Sequence, residues 1–572
     1  MQGGYDKLPG SSTGRFGQGL KKSAMLAAGT LAFAAIAWRT TGDGSLGMFQ
    51  AQETPKCGRI EPLRPRFNKS IEMIFEDAKF REESLAKLSG AVRIPTEIQD
   101  VNPQPADDLD YYKEFFRFHE YLKQTFPLVH KHLKLEKVNH VNLLYTWEGS
   151  DASLEPMMLT AHQDVVPVNP DTVDQWTFPP FSGHYDNTTD YVWGRGTGDC
   201  KNLLIGELEA IELLLKDGFK PRRSVIVALG FDEESSGILG ANTLGDFLYE
   251  RYGDNGIYSV VDEGGGVIQL GKKVFVAAPI TAEKGYVDIE VTVNGVGGHS
   301  SVPPDHTTIG VAANMISLLE ANPFEPTFTP KNPIYGLLTC AAEHGDNLPS
   351  SVRKAILQAP HDEKQKEKMV SFFSTDKRLR DLMRTSQAVD IIRGGIKANA
   401  LPEVTTFLVN HRIDVNSSVS QTVERDLALI KTVAEKFNYG LFLAGEEIIP
   451  PTKFGFIDVE PQKSLEPAPI SPTVGSPTWD LFAGTIQDVF QNGHFKYDPD
   501  TEFYVSTGLV SGNTDTKYYW RLTKNIYRFL GLVMEADIMR TIHSVNEHIR
   551  MSGHLSTVAF VYEYIVNVNE QA

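Results

Sequence analysis

Cysteine is almost absent: 572 residues contain three, Cys57, Cys200 and Cys340, which excludes a disulfide scaffold and leaves room for at most one internal bridge. None sits in a Cys-x-x-Cys spacing, so zinc in this chain would have to be held by histidine and carboxylate. A basic excess is also missing. With 55 Lys and Arg against 73 Asp and Glu, the net charge is -18, a sign that repels phosphates and excludes nucleic acid as a partner. There is no low-complexity tract and no internal repeat. What remains is an ordinary globular composition, 41% apolar and 22% charged, in a chain longer than the roughly 250-300 residues that one core supports. More than one domain is expected.

Long uncharged runs are missing too, with one exception. Lys21-Lys22 is followed by sixteen uncharged residues, Ser23 to Trp38, and then Arg39. This falls just short of the about 17-25 residues of a usual membrane span, a deficit that local thinning can absorb. The expectation is a single-pass signal anchor over 23-38, a cytosolic lead over 1-22, a polar stem over 39-69 and a lumenal catalytic portion. A cleaved signal ending near Ala35-Ile-Ala37, which would secrete the protein, and a buried core helix are the rival readings. Three sequons, Asn68-Lys-Ser70, Asn187-Thr-Thr189 and Asn416-Ser-Ser418, fit a lumenal glycoprotein.

From 70 to 283 apolar runs alternate with helical spacing. Pro156-Met-Met-Leu-Thr-Ala161, Ser224-Val-Ile-Val-Ala-Leu229 and Ile257-Tyr-Ser-Val-Val261 read as buried strands, and Leu204, Leu208, Ile211, Leu214 and Leu215 read as one helix face. This is an α/β pattern: a mostly parallel sheet with helices on both faces, whose ligands bind beyond the carboxyl ends of the strands. Strict alternation in Gly285-Tyr-Val-Asp-Ile-Glu-Val-Thr-Val293 opens a second unit. The order strand, helix, strands, helix, strand over 284-455 predicts an inserted ferredoxin-like α+β lid. A proline-rich return over 450-477 precedes a last stretch, 456-572, that rejoins the first sheet.

Five short runs at strand ends carry the chemistry: Thr160-Ala-His-Gln-Asp164, Gly194-Arg-Gly-Thr-Gly-Asp199, Phe231-Asp-Glu-Glu234, Val260-Val-Asp-Glu263 and Thr541-Ile-His543. Together they offer two histidines and at least three carboxylates at positions suited to a pair of zinc ions. His162 and Asp164 lie two apart on a strand, so both face the same way; the imidazole can bind metal while the acid orients it. Taken singly, each has a bland reading. Asp199 suits an Asx turn, Asp232-Glu-Glu234 a solvated loop, and His543 a satisfied surface or core position. The glycines of 194-198 have the wrong spacing for a nucleotide cradle. Their joint occurrence is what favours a metal site.

These runs, with Trp176, Pro179-Pro-Phe-Ser-Gly183, Gly297-Gly-His-Ser-Ser301, Gly512-Asn-Thr-Asp515 and Ile542-His-Ser-Val-Asn-Glu547, resemble the zinc metallopeptidases that include carboxypeptidase S, aminoacylase and the N-fatty-acyl amino acid hydrolases. The amino-terminal lead and the Asp-Glu-Gly form of the fourth run are most similar to the vacuolar carboxypeptidase S branch. The resemblance implies two zinc ions per subunit bridged by Asp199, with His162 and Asp262 on one ion and Glu234 and His543 on the other. Glu263 replaces Asp262 if the turn is offset by one residue, and Cys200 is a weaker candidate as a soft ligand. It further implies Glu233 as general base, with Asp164 beside His162 as the second catalytic residue. His299 is implied as an oxyanion donor, which in relatives can come from a partner subunit, and Asn399, Arg412 and Lys517 as contacts for a terminal carboxylate.

The expected function is thus a dizinc carboxypeptidase acting on short peptides, vacuolar, with the inserted unit able to form a homodimer. An N-acyl amino acid hydrolase using the same metals is the alternative within the class. A non-catalytic membrane-tethered binding protein is the alternative outside it, and it leaves Glu233-Glu234 at the end of a strand unexplained.

Overall fold

The computed structural model describes residues 56-572. At its centre the strands Val225–Gly230, Met157–His162, Ser259–Gly271 and Ile526–Val533 run parallel, side by side. Neighbouring strands, several of them antiparallel, widen this to a ten-stranded sheet. Side chains along each central strand divide between two layers, as a two-residue period requires. Met157, Leu159 and Ala161 join the apolar layer of helices Lys201–Asp217 and Met551–Glu570. Met158, Ile226, Ala228 and Val260 face helix Ala241–Tyr252 through Ala241, Leu244 and Leu248.

Helix Met551–Glu570 is buried along nearly its whole length, and a helix covered on all sides belongs in a core. Its Phe560 packs edge-on against Phe482 and Phe529, so truncation to alanine would cost about 3-5 kcal/mol. The last hundred residues are therefore structural partners of the first sheet, and they carry His543 back to it. Helix Lys201–Asp217 stops at Gly218, whose left-handed φ of 81° closes it with N–H bonds to Leu214 and Leu215.

The second sheet has six strands in the order Ser386–Gly394, Val404–Ile413, Gly285–Gly295, Gly455–Leu465, Gly440–Leu443, Glu446–Ile449. Helices Thr308–Ala321 and Val419–Phe437 cover one face, packing on Val287, Ile289, Val291 and Val293. The alternation in 285-293 is the cause: every second residue is buried, and the other face stays wet.

Three expectations change here. The stretch 284-455, expected as one inserted unit, divides in space. Helices Ile334–His344, Ser350–Gln358 and Glu363–Phe373 pack on Ile268, Leu270, Val274 and Val276 of the large sheet, and Cys340 forms a disulfide with Cys57. Residues 56-69 are no free stem, because Leu63 bonds Gly484, Phe67 packs on Phe219 and Cys57 is bridged. The single-pass membrane placement is also corrected: among the described residues no helix is long and apolar enough to cross a membrane. The stretch 23-38, on which that placement rested, lies outside the described residues.

Candidate metal centre

Strands Met157–His162 and Val225–Gly230 end together at the site, while Glu263 reaches it from within strand Ser259–Gly271. His162 is the last residue of its strand and pairs in register with Gly230, after which Phe231-Asp-Glu-Glu234 turns back. Asp232 shapes that turn by accepting N–H bonds from Leu239 and Gly240, both at 2.7 Å. Glu233 and Glu234 are thereby left at the rim. Asp199 arrives from the loop before helix Lys201–Asp217, and His543 from the loop after helix Ala536–Thr541.

Asp199 stands in the middle. Its Oδ1 lies 3.0 Å from Nε2 of His162, and its Oδ2 lies 3.0 Å from Nε2 of His543. Glu263 Oε1 completes the first group at 3.4 Å from His162 Nε2, and Glu234 the second at 3.1 Å from His543 Nε2. Within each group the candidate ligand atoms lie within 4.8 Å of one another. Zinc holds N and O donors at about 2.0-2.1 Å, so neighbouring donors around a tetrahedral ion stand roughly 3.3 Å apart. The observed spacings match that edge, and either group could hold a divalent cation. Cys200 lies in the first group too, where its Sγ accepts the backbone N–H of His162 at 3.3 Å.

Charge balance points the same way. Burial, followed by the negative charge of Asp199, pushes the Glu263 carboxyl well up; burial and Glu263 do the same to Glu233, and burial and Asp199 raise Glu234. Burial opposes ionisation of Asp199 as well, but hydrogen bonds from both imidazoles outweigh it and hold this carboxyl well below its usual range. Burial would depress His543, yet its bonds to Asp199 and Glu234 push it up to about 12. A buried cluster with more acids than bases is short of positive charge, and cations supply it.

The other ring nitrogen of His162 is occupied. Nδ1 faces the backbone carbonyl of Asp164 at 2.9 Å and its Oδ1 at 3.3 Å, which leaves Nε2 toward the centre. Asp164 Oδ2 meanwhile accepts the N–H of Glu234 at 3.0 Å. This one acid ties the His162 strand to the Glu234 turn.

Asp262 is not a member of the cluster, which corrects the first choice between it and its neighbour. Successive strand residues face opposite ways. Glu263 turns to His162, whereas Asp262 pairs across from Arg528 and accepts the Glu263 N–H at 2.8 Å. Burial pushes the Asp262 carboxyl up to about 7.

A cleft of about 500 Å³ opens above the cluster, lined by Glu233, Glu234, Asp199, Glu263 and His543. Its lining includes an apolar set, Leu530, Met534, Met539 and Ile542, and a polar set, Arg412, Lys517, Asn410, Asn513, Lys463 and Asp288. Arg412 contacts the Asn513 amide at 3.4 Å and the Tyr286 ring, and Asp288, which lines the same cleft, is the acid that acts most strongly on its charge. His299 and Asn399 do not reach this cleft. They sit on an exposed pairing of Gly298–His299 with Ala400–Leu401, where Ser301 engages His299 Nδ1. The sequence reading missed the apolar lining residues Leu530, Met534 and Met539, and it quoted Ile542 and Asn513 in motifs without giving them a role.

Residues 158-567 match the model of peptidase family M20/M25/M40. The chain is 61% identical over 520 residues to carboxypeptidase S of Saccharomyces cerevisiae, covering 91% of this chain and 90% of the relative. It is 32% identical to the N-fatty-acyl-amino acid synthase/hydrolase PM20D1 of Xenopus tropicalis, over 88% of this chain and 89% of that one. Among solved structures, the M20 family metallo-carboxypeptidase Sso-CP2 of Sulfolobus solfataricus shares the fold at a TM-score of 0.52 and 17% identity, over 84% of this chain and 98% of its own.

Proposed function

The chain belongs to peptidase family M20/M25/M40, and from that premise we propose how its site works. It is a metallo-carboxypeptidase. In our reading His162, Asp199 and Glu263 would hold one zinc ion, and Asp199, Glu234 and His543 would hold a second. The observation that carries this is the single carboxylate of Asp199, whose two oxygens face two histidines on opposite sides.

Bound there, such ions would polarise the scissile carbonyl and make an attacking water more acidic. Glu233, raised at the cleft rim beside Glu234, accepts the proton of that water and hands it to the leaving amine. Asp164 keeps the His162 ring in place. Arg412, half-buried and without an ion pair among the described residues, receives the free carboxylate of the substrate, and Lys517, which also lines the cleft, adds to the attraction. A substrate held at Arg412 would bring its last amide toward Asp199, and the apolar lining residues Leu530, Met534, Met539 and Ile542 would receive its side chain. That fits short peptides cut at their last bond.

The six-stranded unit serves as a lid in this reading. His299 and Asn399 lie outside the cleft of their own chain, and in this reading a homodimer through that unit would bring them from a second copy to complete the oxyanion contacts. Turnover of blocked dipeptides with free and with amidated carboxyl ends tests the proposal. Equal rates on both would overturn the role of Arg412, and activity that survives removal of all metal would overturn the centre.

A further inference from the structure

Glu547 is fully buried and lies four residues beyond His543. Its Oε1 accepts three backbone N–H groups of one turn, from Gly196 at 3.0 Å, Gly198 at 2.9 Å and Asp199 at 3.2 Å. Its Oε2 accepts Arg195 at 2.6 Å, and its main-chain carbonyl accepts the N–H of Gly194 at 2.8 Å. The whole Gly194-Arg-Gly-Thr-Gly-Asp199 turn is thus wrapped around one side chain. Gly196 allows this with a φ of +89°, and a Cβ there would meet Val165 at 2.6 Å.

An arginine partner alone would make Glu547 an ordinary buried ion pair. Three convergent N–H groups make it a template, because they set the backbone that aims Asp199 at the centre of the cluster. The same residue fixes the far end of the loop that carries His543, which strand His548–Arg550 then anchors by pairing with Tyr191–Trp193. Two of the candidate ligands therefore depend on one carboxylate that touches neither substrate nor metal.

We propose that Glu547 is a positioning residue for the metal centre, holding Asp199 and His543 at the separation that lets one carboxylate face two ions. This rests on the dizinc reading above. Substitution to glutamine keeps an acceptor for the turn but sets an amide N–H against the Arg195 guanidinium, and alanine leaves three buried N–H groups without an acceptor.

The test uses the full-length protein, stripped of metal, and titrates zinc against a chromophoric chelator for wild type, Glu547→Gln, Glu547→Ala and Glu547→Asp. Far-ultraviolet circular dichroism of the metal-free forms reports folding. Folded Glu547→Gln should bind zinc roughly 10- to 100-fold more weakly, as loss of groups that orient ligands does. The aspartate variant should recover part of that loss, and kcat should fall with little change in KM. Should the variants not fold, hydrogen exchange of wild-type peptides covering 194-199 decides. Slow exchange in the metal-free protein supports a preformed turn, and exchange as fast as in exposed loops overturns it. Zinc affinity unchanged in folded variants overturns the proposal, whereas a wild type that takes up no zinc overturns the dizinc reading instead.

Discussion

His543 Nε2 lies 3.1 Å from the Glu234 carboxylate, although the two are 309 positions apart in sequence. The contact exists because the final helix is built into the first core, so the loop before it ends beside the turn that carries Glu234. If the two residues share an ion, Glu234→Ala and His543→Ala should each lower metal content from two equivalents toward one. Elemental analysis checks this, and two full equivalents in either variant would exclude that pairing.

Glu233 lines the cleft but stands outside both ligand groups. Glu233→Gln should therefore leave metal content and KM near wild type while lowering kcat by about 10²- to 10⁴-fold, the range of a lost general base. A variant that also loses metal would make Glu233 a ligand instead.

Among the described residues Arg412 forms no ion pair, its cleft contacts being the Asn513 amide and the Tyr286 ring, with Asp288 lining the same cleft. A hydrogen bond to a charged group contributes about 1.5-3 kcal/mol, so Arg412→Met should lower kcat/KM for a free-carboxylate substrate by roughly ten- to a hundred-fold. Amidated substrates should be far less affected. An equal loss on both would assign Arg412 a structural part.

His162, Asp199 and Glu234 drew notice in the sequence because each follows an apolar run or a glycine turn, where a polar side chain needs a reason, whereas His543, just after helix Ala536–Thr541, stood out only through the family resemblance. The choice between Asp262 and Glu263 could not be read, since adjacent strand residues face opposite ways and only pairing with Ile526–Val533 tells which faces the cluster. Glu547 stood inside a quoted motif, yet its function lies in three backbone N–H groups that have no signature of their own. The parallel sheet was legible in its continuous apolar runs, and the opening strand of the second unit in its two-residue period. The placement of helices 334-373 did not, because an amphipathic helix declares that it has a partner without saying which.

A buried acid pair sets a pH trend in stability. Burial, reinforced by the charge of Asp488, pushes the Glu563 carboxyl well above its usual 4.5, and burial also raises Asp488. A carboxyl raised on folding holds its proton more tightly in the native state. Its stabilisation is complete below about 4.5 and declines as pH rises toward the folded value. Glu563→Gln removes that decline, so the variant should gain melting temperature over wild type at pH 8 relative to the same comparison at pH 5. Thermal unfolding of the metal-free forms at both values checks it, and a difference independent of pH would contradict it.

The most direct test of a centre built on Asp199 is elemental analysis of the purified protein, run beside hydrolysis of a blocked dipeptide. We predict two equivalents of zinc per chain, activity lost on chelation and activity restored by zinc. A metal-free preparation that still cleaves the dipeptide would contradict it.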